Sequence, residues 1–417
     1  MDSPRGRIHL ITQILDGAEG TPAAAGHLDR CLGCMACVTA CPSGVRYDRL
    51  IEAARSWAGE SRTLPARSLR ERAARAAIFS VFPYPRRLRM AIAPLRAARW
   101  ARLDAVLLRS GLAERVSPEL AAALRLAPGS LPPRRRRAAA AAAPAARPSR
   151  ALPGRVPARS ARRAVVGMLT GCVQQVFFPQ VNAATSRVLA AEGCDVVIAA
   201  GQGCCGALSL HGGRTAEAAR FARQTIAAFE RAGVDAVVVN AAGCGSAMKE
   251  YAGLLADDAG WSGRAVTLAS RVRDLSEFLV ELGPAAPRHP LPVTVAYHDA
   301  CHLAHAQRIR TQPRDLLTAI PGLRVAEIAD GSTCCGSAGV YNLVQPEAAR
   351  QLGRRKAGNV AATGAQLLVS GNPGCALQIA SELAAAGTPM PVAHTAEVLD
   401  ASIRNAGPAA LLGRTRS

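Results

Sequence analysis

Four cysteines fall within eleven positions near the start of the chain, in "CLGCMACVTACP" at residues 31–42. Cys31, Cys34, Cys37 and Cys41 follow the pattern C-x2-C-x2-C-x3-C-P. Short loops of this length wrap three thiolates around one face of a cubane [4Fe–4S] cluster, and the proline then turns the chain away. Structural zinc usually takes two separated CxxC knuckles, so it competes weakly here. Where two cubes share one domain, the fourth cysteine of a run ligates the other cube. This sequence has one run. Cys41 therefore either closes a single four-cysteine site or belongs to a cluster that lacks its other three ligands.

Eight further cysteines form a repeated pattern. Cys172 ends "GMLTGC" and Cys301 ends "VAYHDAC"; Cys204 and Cys205 lie in "GQGCCGALS", Cys334 and Cys335 in "GSTCCGSAG"; Cys244 lies in "VVVNAAGCG" and Cys375 in "LLVSGNPGC". The landmarks recur about 130 residues apart, which marks an internal duplication. Four convergent thiolates per half suit zinc or an iron–sulfur cluster. The plainer alternative is that they pack as small hydrophobes, and it has to explain why the same four thiols appear twice. Glycines beside them (Gly171, Gly203, Gly206, Gly243, Gly336, Gly374) fit tight turns and a close approach to a bulky ligand. Cys194 has Leu323 as its counterpart and reads as a packing residue. His298, His302 and His305 flank Cys301. The first half has Val173 where His302 stands, so the histidines are assigned supporting or packing roles. Asp299 is left without a role.

The elements that must hold these thiols are legible from periodicity. "AVVGML", "DVVIAA" and "AVVVNAA" read as strands in the first half, with helices over 179–192, 216–232 and 246–255. "VTVAYH", "LRVAEIA" and "QLLVSG" are the strands of the second, with helices over 346–361 and 376–386. Apolar strands alternating with helices form βαβ units around a parallel sheet. In such a sheet the loops beyond the strand carboxyl ends line the ligand crevice. All eight thiols follow strands, so each quartet should meet at one rim of its sheet. The chain is thus expected to be α/β: an N-terminal α-helical [4Fe–4S] segment (1–60), an Arg/Ala/Pro-rich helical and linker region (61–163), and two duplicated domains with parallel sheets (164–288 and 289–417).

Charge is concentrated in the second of these regions. Residues 62–163 carry 24 arginines against four acids, nearly the whole net charge of +21. "PPRRRRAAAAAAPAARPSRALPGRVPARSARR" reads as a low-complexity linker. Upstream, "RRLRMAIAPLRAARWARLDAVLLRSGL" places apolar residues at helical spacing among arginines. That suits either an anionic membrane surface or a partner, or a solvated helix packed on its own protein. Nucleic acid is disfavoured because interleaved aromatics and a docking fold are missing. The chain opens without an apolar leader core and contains no run long enough to span a bilayer, and its cysteines are clustered. The expected setting is therefore a reducing cytoplasm.

Together these features resemble the glycolate oxidase (glycolate dehydrogenase) iron–sulfur subunit family, with its ferredoxin-like segment and two CCG domains. The stretches that carry the likeness are "DSPRGRIHLI", "HLDRCLGCMACVTACPSGVRYDRLIEAAR", "VNAATSRVLAAEG", "GCCGALSLHGG", "GCGSAMKEYAGLL" and "CCGSAGVYNLVQPEAARQL". The iron–sulfur subunits of lactate utilisation and anaerobic glycerol-3-phosphate dehydrogenase are similar, as is the CCG subunit of heterodisulfide reductase. The likeness is weakest over 61–163. It implies an electron-transfer subunit of an oxidoreductase in which FAD on a partner subunit oxidises glycolate to glyoxylate. Electrons would pass on to a membrane quinone or another non-NAD acceptor, with the protein seated peripherally on the inner face of the cytoplasmic membrane. It also implies a second cysteine run ahead of "DSPRGRI", hence an N-terminally incomplete first domain and two cubes where the run is present. Heterodisulfide reductase ends each half in CxxC, whereas Ala247 and Gln378 stand at those positions here; zinc, a simple cube or no metal remain open for the CCG sites. "GSAGVYN" and "GQGCCG" do not match the GxGxxG turn of a nucleotide site. Two readings outside the glycolate family remain: the iron–sulfur subunit of a lactate or glycerol-3-phosphate dehydrogenase, and a zinc-stabilised scaffold without redox work.

Overall fold

The computed structural model describes residues 1–18, 21–60, 69–100, 103, 106–107, 110–116, 121, 123–125 and 152–413. Most of the low-complexity linker read from the sequence lies outside the described residues.

The N-terminal segment is helical. Ser3 and Thr21 each precede a proline, and their hydroxyls accept from the amides of Gly6 and Ala24 at 3.1 Å. These caps start helices Pro4–Leu15 and Pro22–Asp29 by satisfying amides that have no partner within the helix. A short helix, Ala36–Ala40, follows the first two cysteines, and a longer one, Tyr47–Glu60, follows the fourth. Leu28, Cys31, Tyr47, Ile51 and Ala54 form the small core of this segment.

Helices Leu69–Val81 and Pro85–Trp100 come next. Leu88 and Ile92 of the second are buried against Val176 of the first lobe. Leu88 and Ile92 are thus spent on the protein itself, while Met90 of the same helix is exposed. Among the described residues no helix is long and apolar enough to cross a membrane.

Two sheets carry the rest. The first has strands β1 (Arg155–Val156), β2 (Ala164–Leu169), β3 (Cys194–Val197), β4 (Ala236–Val239) and β5 (Val272–Asp274) in the order β1-β3-β2-β4-β5. The second has β6 (Thr294–His298), β7 (Arg324–Glu327), β8 (Leu367–Ser370) and β9 (Val392–Ala393) in the order β7-β6-β8-β9. The order β3-β2-β4-β5 of the first sheet reappears in the second, and every pairing within these sets is parallel. The duplication inferred from cysteine spacing is therefore also a duplication of topology. The one difference is β1, an antiparallel edge pairing through Arg155↔Val197 that sequence periodicity did not foretell, because two residues carry no period.

The lobes also mirror one another where they meet. Helix Pro179–Ala191 packs on Thr395–Ile403, and Leu275–Leu282 packs on Gln312–Thr318. Each contact pairs the helix after a first strand with the helix after a fourth. A single hydrophobic core runs through both lobes, from Val166, Val188 and Val196 to Tyr297, Leu367 and Leu399. Cys194 lies fully buried within it, in keeping with a packing role. The helices after the fourth strands even share a capping box, Asp274 with Glu277 and His394 with Glu397.

Candidate metal centres

The first cysteine loop is shaped by two left-handed residues, Gly33 (φ +62°) and Met35 (φ +61°), which turn the chain twice between Cys31 and Cys37. The amide of Gly33 donates to Cys31 Sγ at 3.4 Å, and the Tyr47 hydroxyl donates to the same sulfur at 3.6 Å. Burial pushes the thiols of Cys34 and Cys37 up to about 11, with their neighbouring thiols adding to it. Bare thiolates are therefore costly here, and cationic iron would offset that cost. Cys41 lies in different surroundings. The amides of Val45, Ser43 and Gly44 hold it low, whereas Cys34 and Cys31 are the groups that act on Cys37. Cys31, Cys34 and Cys37 thus share one electrostatic neighbourhood, and Cys41 sits at its margin.

In the first lobe Cys172 follows β2, Cys204 and Cys205 follow β3, and Cys244 opens helix Ala242–Lys249 after β4. The sulfurs meet in series. Cys172 Sγ lies 3.6 Å from Cys204 Sγ, and Cys205 contacts both Cys204 and Cys244. Those two contacts hold the Cys205 thiol well down, although burial opposes them. Contact with Cys172, and then with Cys205, pushes Cys204 up, and contact with Cys205 pushes Cys244 up. Tyr251 fixes the backbone beneath through a 2.7 Å bond to the Cys205 carbonyl.

The second lobe repeats the series, with Cys301 touching Cys334, Cys334 touching Cys335, and Cys335 touching Cys375. Cys375 stands in the first turn of helix Pro373–Ala385, where the unpaired amides favour negative charge. Asn372 Nδ2 donates to its sulfur at 3.4 Å. In both lobes the glycine of the CCG triplet donates its amide to the first sulfur of the pair at 3.4 Å, as Gly33 does to Cys31. The sequence suggested that these glycines leave room for a ligand. The structure gives another reason: a Cβ on Gly206 would lie 3.0 Å from the Ala218 carbonyl oxygen, and one on Gly336 2.4 Å from that of Ala349. Both glycines have positive φ and press on the first turns of the following helices.

Eleven of the twelve cysteines assigned from the sequence thus fall into three groups, with Cys41 at the margin of the first, and two of these groups adjoin. Cys34 is among the groups that raise Cys334, and Cys301 among those that raise Cys34. Thr39 Oγ1 meets His305 Nδ1 at 2.8 Å, and the Tyr341 hydroxyl donates to the Arg30 carbonyl at 3.3 Å. The first lobe is tied in by Arg55, which donates to the carbonyls of His211 (3.1 Å), Leu28 (3.2 Å) and Cys31. A small open cleft lined by Cys31, Arg55, His211 and Tyr341 lies between these units.

Several of these residues escaped the sequence reading. Tyr47, Ile51 and Arg55 recur every four residues and so share one helix face, a signal that was available. His211 had none: it pairs with Glu52 at 3.1 Å, and its ring lies 4.9 Å from that of His302. Arg30 and Arg46, which flank the first quartet in the sequence, are spent on carboxylates, Arg30 on Asp2 and Arg46 on Asp48 and Glu250. His302 and His305 take the supporting places expected of them, against Cys301 and Thr39. His298 faces Cys335 and Cys375.

Comparison with known proteins follows this division. Residues 166–249 and 295–380 match a cysteine-rich domain, residues 27–47 a 4Fe-4S binding domain, and residues 70–127 the linker region of the glycolate oxidase iron-sulfur subunit. The chain is 36% identical over 381 residues to the probable glycolate oxidase iron-sulfur subunit of Bacillus subtilis, covering 90% of this chain and 82% of that one. It is 34% identical over 390 residues to the glycolate oxidase iron-sulfur subunit of Escherichia coli, covering 91% and 84%. Lactate utilization protein A of Shouchella clausii is 32% identical over 241 residues, covering 56% of this chain and 98% of its own. A cubane-spaced cysteine loop, a linker of this type and two cysteine-rich lobes that share a four-stranded parallel core thus occur in one chain, which belongs to the family of glycolate oxidase iron–sulfur subunits.

Proposed function

We propose that this chain is the electron-transfer subunit of a glycolate-oxidising complex, working beside flavin-bearing subunits and passing electrons to a quinone or another non-NAD acceptor. The observation that carries this is the convergence of Cys31, Cys34 and Cys37 on a loop docked against a second thiol quartet. Cys31, Cys34 and Cys37 would hold a [4Fe–4S] cluster, with Cys41 at the margin as a fourth ligand or as a ligand to a second cluster. When bound, such a cluster takes up and releases one electron at a time. The protein's part is to tune and shield it. Tyr47 and the Gly33 amide direct hydrogen bonds at Cys31, Arg55 sets a positive charge beside the Cys31 carbonyl, and Ile51 and Leu28 exclude water. The quartets Cys172, Cys204, Cys205, Cys244 and Cys301, Cys334, Cys335, Cys375 would be soft-metal sites. Loading them is favoured because buried thiolates need cationic partners.

The linker match supports glycolate over lactate, since the lactate utilization relative covers little more than half of the chain. Purification under anaerobic conditions tests the reading. Iron and acid-labile sulfide should co-purify in equal amounts with a brown colour that bleaches on reduction. A colourless chain without iron would refute it.

A further inference from the structure

The two lobes differ at one buried position beside their thiols. His298 ends β6, and the matching residue at the end of β2 is Leu169. His298 is 1% exposed, and neither ring nitrogen has a hydrogen-bond partner. A buried imidazole with both nitrogens unmatched is unusual, because each nitrogen is a donor or an acceptor that loses its water on burial. One ring nitrogen of His298 and the sulfurs of Cys335 and Cys375 all lie within 4.8 Å of one another.

We propose that the second lobe binds a single zinc-type divalent ion through His298, Cys335 and Cys375, with one further thiolate of the same quartet completing the shell. The proposal rests on the reading of the quartets as metal sites and differs from it in making this one mononuclear, with an imidazole ligand. Three lines support it. Thiolate and imidazole ligands around one tetrahedral zinc stand roughly 3.5–4 Å apart, as follows from bonds of about 2.3 Å to sulfur and about 2.0 Å to nitrogen. The ligands of a cube radiate from separate irons and stand farther apart, so the close grouping of these three suits one ion. Charge balances as well. Three thiolates and a neutral imidazole around a divalent ion leave one negative charge, and Lys356, 1% exposed and near both Cys334 and Cys335, supplies one positive charge. The Lys356 ammonium is held in place by the carbonyls of Asp330 at 2.7 Å and Gly331 at 3.3 Å. Asn372, finally, donates to Cys375 Sγ, the kind of outer contact that orients a ligating thiolate. The first lobe, with Leu169 in this place, keeps thiols only.

The full chain, purified anaerobically, tests this by metal analysis, zinc competition with a chromophoric chelator, and X-ray absorption at the zinc edge. About one zinc per chain is expected alongside iron, in a shell of mixed nitrogen and sulfur. His298→Ala should weaken zinc binding by more than about 100-fold, beyond the roughly 10- to 100-fold lost when an outer-shell contact is removed. Its iron content and visible absorption should stay as in the parent. His298→Cys should retain zinc with an all-sulfur shell, which keeps the test decisive even where the alanine variant fails to fold. Iron without zinc in the parent, an alanine variant within about tenfold of the parent, or nitrogen persisting in the His298→Cys shell would each overturn the assignment. Zinc without iron would instead sink the relay reading and leave this one standing.

Discussion

Tyr47→Phe isolates one hydrogen bond to the first cluster site. The Tyr47 hydroxyl donates to Cys31 Sγ at 3.6 Å, and the side chain is 3% exposed, so no water takes the donor's place when the oxygen is removed. The ring still packs on Leu28, Ile51 and Ala54, so the core of the segment is kept. Burial and the nearby Cys31 sulfur push the phenol well up, which keeps it a donor at all working pH values. A donor aimed at a ligand sulfur stabilises the reduced state more than the oxidised one, because the extra electron raises the charge on sulfur. With a net hydrogen bond worth about 0.5–1.5 kcal/mol and 59 mV corresponding to about 1.4 kcal/mol for one electron, removal should lower the cluster potential by roughly 20–65 mV. Redox titration followed by electron paramagnetic resonance reads this directly. An unchanged or raised potential, with the cluster intact, would refute the reasoning that places this hydroxyl against a ligand sulfur.

Other outcomes follow from packing and titration. Gly213 has φ +75°, and a Cβ there would lie 2.6 Å from the Arg55 carbonyl oxygen, where the cluster segment rests on the first lobe. Gly213→Ala should therefore loosen that contact, cost about 1–3 kcal/mol and speed proteolysis of the N-terminal helices while the lobes stay intact. The paired capping boxes should titrate in opposite senses. Burial raises Asp274 from its ordinary 3.8 to about 6, so its folded state holds a proton that the unfolded chain releases, and stability falls as pH rises from about 4 to 6. Burial lowers His394 from 6.5 to about 4, so the unfolded chain takes up a proton that the folded state refuses, and stability falls as pH drops through the same window. Each shift of roughly two units is worth about 3 kcal/mol, so in urea melts Asp274→Asn should gain on the parent as pH rises, and His394→Asn as pH falls. Slopes of the same sign for the two variants would contradict the account.

The sequence carried the fold through its periods and its repeats. Each strand predicted in the lobes occupies its place, shortened at the ends in "DVVIAA", "AVVVNAA" and "LRVAEIA", where chain leaving a sheet keeps its apolar character. Helix 246–255 forms earlier and in two pieces, Ala242–Lys249 and Tyr251–Leu254, because the chain turns upward directly from β4 and sets Cys244 in the first turn. The three cysteine groups were legible because spacing fixes them locally. Their adjacency was not, since the contacts between Cys34, Cys301 and Cys334 join residues far apart in the chain and depend on how the N-terminal helices dock. For the same reason Arg55 and His211 could not be read as neighbours of the first loop, and His298 was assigned a supporting role. Its value as a ligand depends on two nitrogens left unpaired, a property of packing alone.

Anaerobic addition of glycolate to a complex of this chain with the flavin-bearing subunits proposed as its partners tests the central claim most directly. The visible absorption of the iron–sulfur chromophore should bleach when glycolate and the flavin subunits are both present, and should stay unchanged when either is missing. Replacing Cys34 with serine should abolish that bleaching while the flavin is still reduced. Full bleaching in the Cys34 variant, or a flavin that reduces without ever bleaching the parent chain, would contradict the account.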